Sequence, residues 1–316
     1  MSGFRPVAAF GASLFVAALC VFPARAQAPP LEAVAAEEGV ETTIGTTMSE
    51  TDRMLAQVTI GGAGPYPFIV DTAAERSVIS RQLANDLGLA PAGRARLLSM
   101  TSSREAGMVR VPDISFAPGQ SRTLQAFALN GRHVGASGVL GIDALRGQRV
   151  VLDFEAGEMR VGPAPRNAER FGPDDIVVRA RSRYGQLVLI DSSAEGVDVD
   201  VVVDSGLQVS LGNEALRRLL VSRRNRFEQI ELLSITGESF SADYTRVDTL
   251  RIGGVAITGM PIAFADAYFF TRMRLTRRPA LMLGMDTLRM FRRVAVDFPN
   301  RRAHFVLPEG AGRAER

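Results

Sequence analysis

Val139-Leu140-Gly141-Ile142-Asp143-Ala144-Leu145-Arg146 returns later in the chain as Met282-Leu283-Gly284-Met285-Asp286-Thr287-Leu288-Arg289. Each copy runs into a strand-like tail, Arg149-Val150-Val151-Leu152-Asp153-Phe154 and Arg293-Val294-Ala295-Val296-Asp297-Phe298. Upstream, Phe68-Ile69-Val70-Asp71-Thr72 matches Val201-Val202-Val203-Asp204-Ser205, and each aspartate has a serine six residues on, Ser77 and Ser210. Between these blocks, Leu97-Leu98-Ser99-Met100-Thr101 matches Leu232-Leu233-Ser234-Ile235-Thr236. Blocks in one order at similar spacing mark a duplicated unit. The chain therefore reads as two homologous lobes, 51–165 and 174–316, with a linker over 166–173.

Within each lobe the local patterns are mostly those of strands. Met54 to Ile60, a glycine-rich turn over Gly61 to Pro65, and the apolar run Tyr66 to Val70 predict a hairpin. Its counterpart is Leu187 to Ile190 and Val199 to Val203, with Ser192 to Gly196 between them. Ser80 is placed to cap a short helix from Arg81 to Leu87 that Gly88 stops, and Asn213 to cap Glu214 to Leu220. Further strands fit 108–116, 124–129, 246–252 and 260–264. The expected fold is mainly β: two small β-barrel lobes related by a pseudo-twofold, with one short helix per lobe.

Composition narrows the chemistry. The chain has 316 residues, 46% hydrophobic and 22% charged, so it has room for two cores and is not of disordered type. One cysteine excludes a disulfide scaffold and cysteine-rich metal sites, and His133 and His304 have no ligand-type neighbours at metal spacing. Both histidines are read as surface or edge residues. Lysine is absent, which excludes a Walker A loop and lysine Schiff-base chemistry. No metal or cofactor is expected; carboxylates, hydroxyls and backbone amides remain.

Arg5, the apolar run Val7 to Phe22 and the small residues of Ala24-Arg25-Ala26 predict a signal peptide over 1–26, cleaved before Gln27, and hence a periplasmic or secreted protein. A membrane anchor over 7–22 is the alternative. Residues 27–50, rich in Ala, Pro, Glu and Thr, read as a flexible leader. No stable membrane span is expected after signal removal, and the internal duplication predicts a monomer.

In each lobe an apolar strand ends in Asp-Thr or Asp-Ser. A lone carboxylate at such a place is disfavoured by desolvation unless it is paired. A twofold would bring Asp71 and Asp204 face to face, where two carboxyls share a proton and their pKa values split. With these residues the chain resembles the retropepsin-like aspartic proteases, in a two-lobed single-chain form similar in layout to pepsin. The family pattern is Asp-Thr/Ser-Gly, then two apolar residues and a Gly; here Asp71-Thr72-Ala73 with Leu140-Gly141, and Asp204-Ser205-Gly206 with Leu283-Gly284. The resemblance also implies split pKa values for the carboxylate pair.

The resemblance implies an aspartic endopeptidase whose catalytic dyad is Asp71 and Asp204. Thr72 and Ser205 would then bond across the axis, and Gly141 and Gly284 would let the closing strand pass behind each loop. Asp143 and Asp286 are read as structural. Ala73 stands where the family pattern has Gly, at a loop conformation Gly adopts most easily. Substrate cover is assigned to two hairpins: Met100, Thr101, Ser102 and Ser103 as a flap, with Ile235, Thr236 and Gly237 as its counterpart. Peptides or unfolded protein segments are the expected partners. The second lobe's arginines, Arg217, Arg218, Arg223, Arg224, Arg226, Arg272, Arg274, Arg277 and Arg278, lack interleaved aromatics and read as a solvated basic face, so nucleic acid is not expected. A catalytically impaired peptide-binding module and an envelope structural protein stand as alternatives.

Overall fold

Met54–Ile60 alternates in burial, with Met54, Ala56, Val58 and Ile60 turned into the core, the period-2 signature of a half-buried strand. In the computed structural model, which describes residues 42–48, 53–100, 102–117, 120–164, 172, 175–221 and 227–310, this strand begins a barrel. Gly61 and Gly62, both at positive φ, turn the chain into Ala63–Val70. The turn is therefore two residues long, and Gly64 and Pro65 lie inside the second strand. Pairing runs from Ala63–Val70 to Gly138–Leu140, Val78–Ser80, Gln120–Leu129 and Ser103–Ala117, which returns to Thr59 and Ile60. Six strands thus close the first lobe.

The second lobe repeats the pattern through Gln186–Leu189, Asp200–Val203, Ala280–Leu283, Leu211–Gly212, Val255–Phe264 and Ser239–Ile252. Its first strand breaks at Asp191, where φ is +63, and resumes as Ser192–Ala194. The tight turn falls on Glu195 and Gly196, both at positive φ, instead of spreading over 192–196.

The tails of the repeats pair with each other. Arg149 faces Asp297, Val151 faces Ala295 and Asp153 faces Arg293 in antiparallel register. Val151 and Ala295 are equivalent residues of the two repeats, so the pseudo-twofold runs between them. Glu158–Pro163 and Thr42–Met48 extend this sheet on one side, Arg302–Val306 and Asp175–Arg183 on the other. Its buried faces join both lobes in one apolar core that includes Val150, Leu152, Val294 and Val296.

Several expectations change here. Thr42–Met48, read as part of the leader, is a strand that pairs with both 158–161 and 54–56; its threonines and isoleucine suit a strand. The signal peptide, the rest of the leader and nearly all of the linker lie outside the described residues. The two capped helices are present as Arg81–Asp86, where Ser80 Oγ accepts from Leu83 N at 3.1 Å, and Glu214–Val221, where Asn213 Oδ1 accepts from Leu216 N at 2.9 Å. Four single turns of helix join them, Gly131–Val134, Ile142–Leu145, Tyr268–Arg272 and Met285–Leu288, each too short to show a helical period. His304 is fully buried, against the surface or edge position expected, because its strand lies inside the shared sheet. Its Nδ1 meets Asp175 Oδ2 at 2.9 Å.

Candidate active site

Each aspartate follows a buried apolar run at the end of its strand, Phe68-Ile69-Val70 and Val201-Val202-Val203. Asp71 N donates to Leu140 O and Asp204 N to Leu283 O, both at 3.0 Å, so both loops hang from the strand that closes their barrel. A Cβ on Gly141 would lie 2.7 Å from the carbonyl carbon of Arg76, and one on Gly284 2.9 Å from Ser210 N. Both are closer than real Cβ contacts, so the closing strand passes behind the loop only as glycine. Behind each loop the same lock recurs. Ser77 N and Oγ donate to Asp143 Oδ1 at 2.8 and 2.7 Å, and Gly141 N donates to Ser77 Oγ at 3.0 Å. In the second lobe Ser210 Oγ donates to Asp286 Oδ1 at 2.7 Å and accepts from Gly284 N at 3.0 Å. Burial raises the carboxyls of Asp143 and Asp286, against these serine hydrogen bonds.

The hydroxyls that follow the aspartates cross the axis. Thr72 Oγ1 donates to Val203 O at 2.9 Å and accepts from Ser205 N at 3.2 Å. Reciprocally, Ser205 Oγ donates to Val70 O at 2.8 Å and accepts from Thr72 N at 3.1 Å. Both side chains are buried, so these four bonds form in low dielectric, and an unmet partner would cost about 1–3 kcal/mol.

The interlock brings the carboxyls of Asp71 and Asp204 close enough for each to act on the other's ionisation. Asp71 Oδ1 accepts from Ala73 N at 2.8 Å and Ala74 N at 2.7 Å, while Asp204 Oδ1 accepts from Gly206 N at 2.9 Å. Burial raises both carboxyls above the usual range. For Asp71 the two amides and the Arg53 guanidinium pull the other way. Asp204 is driven higher still, by burial and then by the charge of Asp71. Two coupled carboxyls that burial pushes up in this way lose their protons in two separate steps, Asp204 being the one raised further.

Two residues beside the dyad were not singled out from the sequence. The register of the first hairpin, Leu55 opposite Ile69, continues to set Arg53 opposite Asp71. Arg53 feels both carboxylates, and its Nη2 donates to Val134 O at 3.2 Å. In the second lobe Val188 opposite Val202 continues to Gln186 opposite Asp204. Gln186 is buried, and its Nε2 donates to Ala73 O, tying the second lobe to the first lobe's loop. A basic residue and an amide thus flank two chemically identical acids.

The structure also changes the reason for glycine after each Asp-Thr/Ser. Neither position 73 nor position 206 has positive φ. Gly206 is needed for space, since a Cβ there would collide with Oδ2 and Cγ of Asp71. The Cβ of Ala73 points elsewhere, into an apolar cluster of the second lobe with Val188, Val202 and Phe270.

The two candidate cover hairpins meet one another. Ser102 Oγ donates to Glu238 Oε2 at 3.0 Å, and Arg104 Nη1 lies 3.9 Å from Glu238 Oε1. Tyr268 N donates to Met100 O at 2.9 Å, docking the first hairpin on the second lobe. Gly237, at φ +87, lies against the His133 ring, which a Cβ at this position would displace. Thr236 is buried and bonded to Ser234, and Ser103 is exposed. Thr101 lies outside the described residues.

Comparison of the chain with curated proteins finds no match. The family model described as aspartyl protease matches twice, over residues 56–144 and 190–287. These matches cover more than half of the chain, fall once on each lobe and each contain one of the facing aspartates, and the chain belongs to the aspartyl protease family.

Proposed function

We propose that the protein is an aspartic endopeptidase that hydrolyses peptide bonds with a water held between Asp71 and Asp204. The observation that carries this reading is the asymmetric dyad: two carboxyls close enough to act on each other, one held by two amides and faced by an arginine, the other pushed well above the carboxylate range. Asp71 takes a proton from the water as it attacks the carbonyl carbon, and Asp204 gives its proton to the carbonyl oxygen. The tetrahedral diol then collapses as Asp71 passes the water's proton to the leaving nitrogen and Asp204 takes a proton back from a diol hydroxyl, with no covalent enzyme intermediate. The paired hairpins around Met100 and Ile235 lay an extended peptide along the cleft through backbone hydrogen bonds. The amino-terminal address at 1–26 supports exported proteins or peptides as substrates. Cleavage of a mixed peptide library by the wild type, abolished by Asp71→Asn and by Asp204→Asn with the fold retained, is the expected result. Full activity in either variant rules the dyad out.

A further inference from the structure

Beside the dyad loop lies a pocket of about 520 Å³ lined by Glu75, Arg76, Asp143, Arg146, Tyr184 and Arg272. Glu75 and Arg76 continue directly from Asp71-Thr72-Ala73-Ala74. Five residues of chain span at most about 17 Å, and an extended peptide advances about 3.3 Å per residue. Arg76 is therefore no more than about 17 Å from Asp71, a distance that an extended peptide covers in about five residues.

Its charges are unequally committed. Arg272, from the second lobe, holds Glu75 through Nε–Oε1 at 3.0 Å and Nη2–Oε2 at 3.4 Å, and its guanidinium carbon sits 3.8 Å from the centre of the Tyr184 ring. That pair closes one wall across the two lobes, so Arg272 is not part of a solvated basic face. Asp143 is turned inward to Ser77, and burial holds its carboxyl above the usual range. The side chains of Arg76 and Arg146 are exposed and make no hydrogen bond or ion pair with the described residues. Arg76 acts only through space, on Asp143. Two guanidinium groups thus border one pocket, neither of them in a side-chain hydrogen bond or ion pair with a described residue. In the second repeat Gln208 and Val209 stand at the positions of Glu75 and Arg76, while Arg289 matches Arg146, so the pairing of two arginines is particular to the first lobe's side.

Building on the protease reading, we infer that this pocket is a specificity subsite for an acidic side chain of the substrate, with Arg76 and Arg146 gripping the carboxylate. Arginine suits this task because its planar fork meets a carboxylate with two parallel hydrogen bonds. The pocket's one-sided charge fixes the direction in which a peptide lies across the dyad, which two barrels of like design would otherwise leave degenerate.

The test uses end-blocked peptides in which Asp or Glu, or the matching Asn or Gln, is moved through five positions on each side of the cleaved bond. One acidic position should raise kcat/KM roughly 10-fold over its amide, the range of a charge-assisted hydrogen bond that is partly solvated. In the Arg76→Gln/Arg146→Gln double variant that acid-to-amide ratio should fall towards one, while Arg→Lys at both sites keeps part of it. Equal rates for acid and amide at every position, or a preference that survives the double Gln variant, overturns the subsite. Binding of the same peptides to Asp71→Asn, followed by fluorescence anisotropy, separates the two readings. Acid-selective binding without turnover by the wild type would leave the subsite and remove the protease. Turnover without acid selectivity would do the reverse. A free-carboxyl peptide bound better than all internal acids would assign the pocket to a chain terminus and overturn the side-chain reading.

Discussion

Met100 and Ile235 occupy equivalent positions in the two repeats, and each packs in the apolar cluster of the opposite lobe. Met100 lies against the second-lobe cluster of Val202, Phe270 and Met282, and Ile235 against the first-lobe cluster of Ile69, Phe127 and Val139. The hairpin tips are thus crossed, and Ser102 and Arg104 on Glu238 add a polar clasp. Loosening one tip must loosen the other. Met100→Ala and Ile235→Ala each remove a half-buried side chain worth about 1–2 kcal/mol. Each should speed amide exchange at Ser99 and at Gly237 alike, and the double variant should exceed the larger single change only slightly. Hydrogen exchange confined to the substituted hairpin would show that the tips move independently.

The dyad has a stability consequence that is separate from catalysis. Asp204 is raised well above its ordinary 3.8 in the folded protein, so the fold retains a proton that the unfolded chain releases above that pH. The stabilisation is complete below the unfolded value and is lost as pH rises through the folded one. Asp204→Asn keeps the shape and cannot ionise. Its denaturation midpoint should match the wild type near pH 3 and exceed it at pH 8, despite the loss of activity. A midpoint below the wild type at pH 8 would mean that the charge on Asp204 is well compensated.

On the protease reading, Arg53 sets the pH range in which the dyad works. Its positive charge favours ionisation of Asp71, and it also senses Asp204. Removing it makes both acids harder to ionise, so Arg53→Gln should move the whole bell-shaped kcat/KM profile to higher pH, the acid limb most. Arg53→Lys should move it less. An unshifted profile with a raised KM would make Arg53 a substrate contact instead.

The duplication, the strand-rich fold and both aspartates were legible because each is written twice. Asp71 and Asp204 follow apolar runs of like length, and Gly141 and Gly284 are invariant between the copies. Arg53 and Gln186 were not legible, because their roles depend on hairpin register. Counting back from the Gly61-Gly62 turn, where Ile60 faces Ala63, sets Arg53 against Val70. The irregularity between Val58 and Ile60 shifts the pairing by one residue and delivers it to Asp71, and such a slip carries no signature in residue type. The broken strand at Asp191 hides Gln186 in the same way. Arg272 was obscured for a different reason: nothing local to 268–274 reveals that its partners, Glu75 and Tyr184, come from distant parts of the chain.

The two residues after the Asp-Thr/Ser pairs should respond oppositely to exchange. At position 206 a methyl group would occupy the space of the Asp71 carboxylate. Gly206→Ala therefore displaces that carboxylate from the amides of Ala73 and Ala74 or pushes the two loops apart against the Thr72–Ser205 interlock. A shift of about 1 Å in a catalytic group is enough for a loss near 100-fold, so kcat should fall by at least that order while the thermal transition stays cooperative. At position 73 the methyl group is an asset, buried in the second lobe's cluster. Ala73→Gly, which restores the family residue, should cost about 1 kcal/mol through greater freedom of the unfolded chain and the lost contact, with kcat nearly unchanged. Equal damage from the two substitutions would mean that the loops relax to a symmetric arrangement; higher activity in Ala73→Gly would mean that the methyl group holds the first loop away from its best geometry.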